Sequence, residues 1–383
     1  MKKICFVTTV SMTVRAFILP LLRHLTENTD WKITVICDDD PSLKDVLPDG
    51  VQYIPVSMKR GISLSGIGAV AQMAKIFRRE KFDLVQYSTP NASLYASLAA
   101  KLAGVPVRLY CQWGLAYVAF QGMKRKIFKG VEKLVCSLST WVEPDSFGNL
   151  RFCQSEGLYK EKKSSVIWNG SASGVNLEKF DISQKPLWRQ EIREKLGIAE
   201  DAFVYGFIGR ITGDKGINEL FRAYQNLIKE QQNTYLILAG LPEKEETLNP
   251  QLYDWAKKDP HVLFCGFTTQ VERYMAAMDV YILPSYREGF GSAVVEAEAM
   301  GVPVIVTDIP GPTDALVKDE TGLVVKKADW TSLYDAMLQI KTDATMRKNM
   351  GQAAYELARG KFEQTQLLNH IVEDRKRLMK ISK

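Results

Sequence analysis

Short apolar runs alternate with amphipathic segments along almost the whole chain, and the alternation occurs twice. In the first half the runs are Ile4–Val10, Lys32–Cys37, Val51–Val56, Leu84–Tyr87, Val107–Cys111 and Val166–Trp168. In the second they are Phe203–Ile208, Thr234–Ala239, Val262–Phe264, Val280–Leu283, Val302–Thr307 and Leu323–Val325. Between them lie segments such as Arg15–Leu25, Ile67–Phe77, Glu219–Glu230 and Val271–Ala277, whose apolar residues recur at helical spacing. A strand followed by a helix before the next strand pairs in parallel, so each half is expected to form a parallel sheet covered by helices. At 383 residues the chain also exceeds the length at which a single core keeps growing. The expectation is α/β, in two domains.

The seam is Asn169-Gly170-Ser171-Ala172-Ser173-Gly174-Val175-Asn176, too rich in Gly and Ser for a regular element. It places an N-terminal domain at 1–168, a linker at 169–181 and a C-terminal domain at 182–361. Residues 362–383 form a polar helical pattern with no strand after it, and a return of this helix to the N-terminal domain stays open. Open parallel sheets take ligands at their carboxyl strand ends, so the expected ligand site is a cleft between the two domains.

An apolar fraction of 46% and a charged fraction of 25% are globular values and exclude a disordered chain. Six cysteines are scattered without a CxxC pair, and Cys5, Cys37, Cys111 and Cys265 lie in apolar runs. That pattern argues against a disulfide framework or a zinc site and for a reducing, cytoplasmic compartment. The opening Met1-Lys2-Lys3-Ile4-Cys5-Phe6-Val7 meets polar Thr8, Thr9 and Ser11 too soon for a signal peptide and reads as a first strand. No run approaches the roughly 18 apolar residues of a membrane span, so the expectation is a soluble protein, peripheral to a membrane at most. Residues 1–168 carry 23 Lys and Arg against 14 Asp and Glu, whereas the remainder carries 27 against 30. The basic half calls for an anionic partner, a phospholipid surface or phosphates; nucleic acid is not expected, because no recognition motif accompanies the charge.

The most informative stretch runs from Leu283 to Thr307 and reads strand, glycine-rich turn, helix, strand. Ser292–Met300 is the helix, with Gly301 and Pro303 as stop signals. The turn Glu288-Gly289-Phe290-Gly291 lets backbone approach a ligand, and the helix start at Ser292 offers N–H groups to an anion. Taken singly, Glu288 could be an exposed loop acid and Glu296 a complement to the helix dipole.

Glu288 and Glu296, with seven residues between them, match the EX7E motif, and the chain resembles the retaining glycosyltransferases of the GT-B fold, family 4. Gly209-Arg210-Ile211-Thr212-Gly213-Asp214-Lys215-Gly216 is similar to that family's phosphate-binding segment, and Gly266-Phe267 to its nucleobase-side turn. Gln112-Trp113-Gly114 through Pro144-Asp145-Ser146-Phe147-Gly148-Asn149 look most like the CapM-type branch, which builds capsule or exopolysaccharide units on a membrane lipid carrier. The resemblance implies two facing Rossmann-like domains, the first binding the acceptor and the second the nucleotide sugar. It implies that Arg210 and Lys215 neutralise the donor diphosphate as charge grows on the leaving group. Glu296 would accept hydrogen bonds from the ribose diol. Glu288 and the backbone of Gly289, Phe290, Gly291 and Ser292 would hold the transferred sugar. The donor would be a UDP-sugar and the acceptor a lipid-linked saccharide, with no cofactor and no metal.

Two departures stand out. Many relatives carry a histidine near the reacting sugar, where this chain has Gln112 and Trp113; Gln112 is the candidate replacement as a hydrogen-bond donor. The usual glycine-rich loop after the first strand is replaced by Ser11-Met12-Thr13, and Ser11 and Thr13 are candidate contacts to phosphate or acceptor. Asp38-Asp39-Asp40 contains an Asp-x-Asp but precedes Pro41 after a strand, and reads as a solvated turn rather than a metal site. Phe120–Trp141 places Ile127, Phe128, Val131, Leu134, Val135 and Leu138 at helical spacing, with Lys124, Arg125, Lys126, Lys129 and Lys133 elsewhere on the helix. It is the expected docking segment for the anionic inner face of the cell membrane. Two other readings compete with a transferase: a nucleotide-sugar 2-epimerase of GT-B-like fold, and a non-enzymatic sugar-binding protein.

Overall fold

The computed structural model describes residues 1–58 and 65–381. The chain divides into two compact units, one of residues Met1–Ser173 together with the segment from Thr365 onward, the other of Gly174–Gln364.

The first unit holds six strands: β1 (Lys3–Val7), β2 (Lys32–Cys37), β3 (Gln52–Pro55), β4 (Leu84–Tyr87), β5 (Val107–Gln112) and β6 (Trp141–Pro144). They lie in the order β3-β2-β1-β4-β5-β6 and every pair is parallel. Ile4, Cys5, Phe6 and Val7 are all buried, the mark of a parallel sheet covered on both faces. The sixth strand is not the one expected. Val166–Trp168 makes no strand, and Trp168 turns at φ 48°. Trp141–Pro144 pairs with β5 instead. Four residues at the foot of a long helical pattern carry too few alternations to announce themselves as a strand.

The helix Gln364–Ile381 completes this unit. Its Leu367, Leu368, Ile371 and Val372 pack in one cluster with Ile4, Phe6, Leu84 and Leu109. Arg375 is 1% exposed and meets both carboxylate oxygens of Glu143 on β6, while its Nε donates to Gln86 on β4 at 3.1 Å. A buried guanidinium is tolerable only with such partners.

The second unit repeats the design with β7 (Phe203–Ile208), β8 (Thr234–Ala239), β9 (Val262–Gly266), β10 (Val280–Leu283), β11 (Val304–Thr307) and β12 (Gly322–Val325), in the order β12-β11-β10-β7-β8-β9. The chain runs outward from β7 to β9, then returns to the other side of β7 and runs outward again. The connections after β7 and β10 therefore run on in opposite directions, leaving a crevice at the carboxyl ends of the two strands. In the first unit the same reversal lies between β1 and β4. Among the described residues no helix is long and apolar enough to cross a membrane.

Candidate active site

The loop after β7 and the loop after β10 meet at the crevice of the second unit. Gly216 makes this possible. It sits at φ 71°, and a Cβ there would lie 2.0 Å from the carbonyl oxygen of Pro284. Only a residue without a side chain lets the two loops touch. The contact brings Lys215 to Glu288, Nζ to Oε1 at 2.5 Å, with both side chains mostly buried. Beside them Arg287 pairs with Asp214 at 2.9 Å, and the Tyr286 amide donates to the Asp214 carbonyl. Burial works to raise the Asp214 carboxyl. A hydrogen bond from Thr212 and the charges of Arg287, Arg210 and Lys215 outweigh it and hold the group below the ordinary carboxylate range. Arg210 reaches Glu243 at 3.2 Å on the open side. Each of these three cations is thus held by a carboxylate, and each pair is of a kind that a diphosphate can replace.

The turn Gly289–Gly291 leads into the helix Ser292–Ala299, whose N-terminus no side chain caps. Gly311, at φ 104°, presses on this turn: a Cβ there would lie 2.0 Å from the Gly289 carbonyl oxygen. Phe290 faces away from the crevice. Its ring is buried and packs against Phe362 at 5.3 Å, so only its backbone belongs to the turn. Glu296, in the second turn of the helix, is half-buried; desolvation raises its carboxyl to about 7, with Lys179 opposing and Glu272 adding to the shift. The phenol of Tyr281, buried on β10, lies within electrostatic reach of both Glu288 and Glu296. Gly209 follows β7 and Gly266 ends β9, while Phe267 stands 70% exposed just beyond.

In the first unit the named residues fare differently. Gln112 ends β5 and is fully buried. Its amide nitrogen donates to Glu132 at 2.5 Å, and its oxygen accepts from Tyr159 at 3.0 Å and from the Cys153 thiol at 3.3 Å. The expectation that it offers a hydrogen bond to a substrate is corrected, because the side chain is fully buried among Glu132, Cys153 and Tyr159 inside the unit. Ser11 is half-exposed, with its hydroxyl beside the Asp40 carboxylate. Asp40 itself caps the turn Pro41–Leu43 through Ser42, and those hydrogen bonds, Ser11's first, bring its carboxyl down to about 2. Thr13 and Trp113 remain half-exposed, Trp113 packing on Phe17 at 5.6 Å. Among the described residues no group of three or more His, Cys, Asp and Glu is placed to hold a metal ion.

Residues 189–357 match the family described as glycosyl transferases group 1, and residues 3–142 match glycosyl transferase 4-like. The chain is 30% identical to the capsular polysaccharide biosynthesis glycosyltransferase CapM of Staphylococcus aureus, over 94% of this chain and 93% of that one. The chain belongs to the CapM-type glycosyltransferases. An Escherichia coli relative, UDP-Gal:alpha-D-GlcNAc-diphosphoundecaprenol alpha-1,3-galactosyltransferase, is 27% identical over 84% of this chain and 83% of its own. In structure the glycosyltransferase is similar to Anabaena HepE, solved in complex with UDP and glucose, with a TM-score of 0.81 at 18% identity, covering 98% and 100% of the two chains. The architecture is the two-domain α/β GT-B fold. Membership of this family sets aside the epimerase and the binding-protein readings.

Reading the sequence missed several residues at the carboxyl strand ends of this glycosyltransferase: Asp214, Arg287, Tyr281 and Gly311 at the crevice of the second unit, and Thr9 with Thr89 at the β1–β4 reversal of the first. Thr89 has φ 69°, rare for a branched residue, and its hydroxyl lies 2.7 Å from that of Thr9 across the β1–β4 reversal. The pairing of β1 with β4, which no local pattern shows, is what brings these two together.

The helix Gly122–Leu138 also differs from expectation. Arg125 and Lys129 both pair with Glu156, at 3.2 and 2.8 Å. Phe128, Val131 and Val135 pack inward. The outward face carries Met123, Ile127 and Leu134, flanked by exposed Lys124, Lys126 and Lys133.

Proposed function

We propose that the chain moves a hexose or N-acetylated amino sugar from a UDP-sugar to a polyprenyl-diphosphate-linked saccharide, with retention and without a metal ion, in capsule or exopolysaccharide synthesis. The observation that carries this reading is the convergence of Arg210, Lys215 and Arg287 with Glu288 at one crevice, beside an uncapped helix N-terminus. The relatives named above support the donor, the lipid carrier and the polymer. Three cations and the helix start supply the positive potential that a divalent ion would otherwise give a departing diphosphate.

On this reading the diphosphate displaces Glu243 from Arg210 and shares Lys215 with Glu288. Glu288 then steadies positive charge developing at the anomeric carbon. The bond from that carbon to phosphate oxygen breaks as the bond to the acceptor oxygen forms on the same face. The acceptor proton passes to the departing phosphate. Glu296 accepts the ribose diol, and the exposed ring of Phe267 flanks the base. The enzyme works peripherally at the inner face of the membrane, where Met123, Ile127 and Leu134 enter the interface and Lys124, Lys126 and Lys133 meet anionic headgroups, each charge contributing about 1 kcal/mol.

The test is a thermal-shift screen of UDP-, GDP- and TDP-sugars, followed by transfer to a polyprenyl-diphosphate saccharide in excess chelator, with the product anomer read by NMR. A UDP-sugar should raise the melting temperature, since a ligand that binds only the folded state stabilises it. The product should keep the donor's anomeric configuration. Preferential stabilisation by another nucleotide, loss of transfer in chelator or an inverted product would each remove the corresponding part of the reading.

A further inference from the structure

A pocket of about 470 Å³ opens in the second unit at the amino ends of β10 and β11. Asp279, just before β10, and Pro303, just before β11, line it, so it lies at the opposite strand ends from Glu288. Its volume is that of a small-molecule site. Among the described residues that line it, four are cations, Lys185, Arg189, Arg347 and Lys348, and one is a carboxylate, Asp279. That carboxylate is already engaged. Its Oδ1 accepts from Arg189 at 2.7 Å, and its Oδ2 accepts from Arg193 at 2.9 Å and from the Val204 amide at 2.8 Å. Lys185, Arg347 and Lys348 are left with no carboxylate of the lining to answer them.

Cations on an ordinary surface swing freely in water, but two of these three are fixed. The Lys185 amine donates to the Gly301 carbonyl at 3.0 Å. Arg347 donates through Nη1 to the carbonyls of Ile340 and Lys341, at 2.9 and 3.0 Å, and its guanidinium lies 5.0 Å from the centre of the Phe203 ring. The rest of that fork, Nε and Nη2, makes no hydrogen bond to the described residues and is left for a ligand. Burial brings the Lys185 amine down to about 8, with Arg189 adding and Asp279 opposing, and an entering anion would relieve that cost. The helices Lys185–Leu196 and Ala344–Lys361 both start at the pocket, so their positive ends add to the field. Along the second helix Lys348, Gln352 and Tyr355 follow at one-turn spacing on one face. We propose that this pocket binds a phosphomonoester at a site separate from the donor crevice. Lys185, Arg347 and Lys348 take the phosphate, and Gln352 and Tyr355 meet the body of the ligand. Three unanswered positive charges are better matched by a phosphomonoester, with its charge of nearly two at neutral pH, than by a single carboxylate. Guanidinium and phosphate also suit one another in shape.

The experiment is calorimetric titration of the full chain with glycerol 3-phosphate, with glycerol as the uncharged control. The ester should bind and glycerol should not. Lys348→Gln, a change at an exposed side chain, should weaken the ester by about tenfold, the scale of one lost charge-assisted hydrogen bond. Lys185→Gln should weaken it at least as much, and Lys348→Arg, which keeps the charge, should restore it. Lys215→Ala, which removes a cation from the donor crevice, should bind the ester as wild type does. Vesicles containing phosphatidic acid present the same phosphomonoester on a lipid. A loss in Lys348→Gln that appears with these vesicles and not with glycerol 3-phosphate would assign the pocket to a headgroup; the reverse would assign it to a soluble ester. Equal binding by wild type, Lys185→Gln and Lys348→Gln would overturn the site. So would binding lost only in Lys215→Ala, or no binding of the ester in either form.

Discussion

The carboxyl ends of the two sheets are built on the same reversal of strand order, yet their polar side chains are used in opposite ways. In the second unit Arg210, Lys215 and Arg287 sit in ion pairs drawn from loops of that unit, and in the pairs of Arg210 and Arg287 a third or more of each side chain is open to solvent. In the first unit Gln112, Glu132 and Tyr159 bind one another in the interior, and Ser11 is tied to Asp40. Open pairs can exchange a carboxylate for a phosphate at little cost, because charge meets charge before and after. A buried network has no such freedom, since removing one member leaves another without a partner. One strand end is therefore built to be rearranged by a ligand and the other to stay as it is.

The comparison breaks most visibly if scaffold and site exchange roles. Arg375→Ala in the first unit should lower the unfolding free energy by about 3–5 kcal/mol, the cost of leaving Glu143 buried and unpaired; urea denaturation measures it. A loss below 1 kcal/mol would mean that this polar cluster is not closed. Next come Glu288→Ala and Lys215→Ala, each expected to reduce kcat by about two orders of magnitude, roughly 2.7 kcal/mol, while the melting temperature changes little. Near-normal turnover in either folded variant would place the chemistry elsewhere. Gln112→Ala should show the reverse pattern, losing about 1–3 kcal/mol of stability with kcat within a few-fold of wild type. Its pH dependence sharpens the point. Burial holds the Glu132 carboxyl above its ordinary value, with the hydrogen bonds from Gln112 and Tyr110 opposing. A carboxyl raised on folding weakens the fold as pH climbs from its unfolded to its folded value, and losing a donor deepens that. The stability deficit of Gln112→Ala should therefore be larger at pH 7 than at pH 4.5. The smallest effect belongs to the helix Gly122–Leu138. Changing Lys124, Lys126 and Lys133 to Ser should weaken sedimentation with anionic liposomes by about 3 kcal/mol at most, less in high salt. The same change at Arg125 and Lys129 should matter less, because Glu156 already holds them.

The difference between the regions also governs what could be read from the residues alone. Both parallel sheets were legible, because buried strands and amphipathic helices leave periodic marks. The crevice of the second unit was legible in outline, since Glu288, Gly289–Ser292 and Glu296 lie on one strand–turn–helix segment and Arg210 to Lys215 on another. Asp214 and Arg287 lay within those very segments, but only the contact at Gly216 reveals that they pair. Gln112 was placed on the right strand end and given the wrong job, because Glu132 and Tyr159 lie 20 and 47 residues away and no local pattern announces such bonds. The helix Gly122–Leu138 was found, but its apolar residues divide between two faces, Phe128, Val131 and Val135 packing inward while Ile127 and Leu134 are exposed, a split that only the packing reveals.

Arg375 has a consequence for how the protein comes into being. Synthesis delivers the first 173 residues long before the helix Gln364–Ile381 leaves the ribosome. Until it does, the surface around Ile4, Phe6, Leu84 and Leu109 lacks its cover, and Glu143 and Gln86 lack their donor. Nascent domains usually fold in order from the amino end. Here the first to emerge must wait for a segment made after the whole of the second unit, and it spends the interval as a sticky, half-finished sheet. The second unit has no such delay and can close while its neighbour is still waiting. A chaperone that shelters apolar surface on nascent chains therefore has its natural client in the amino-terminal half of this protein.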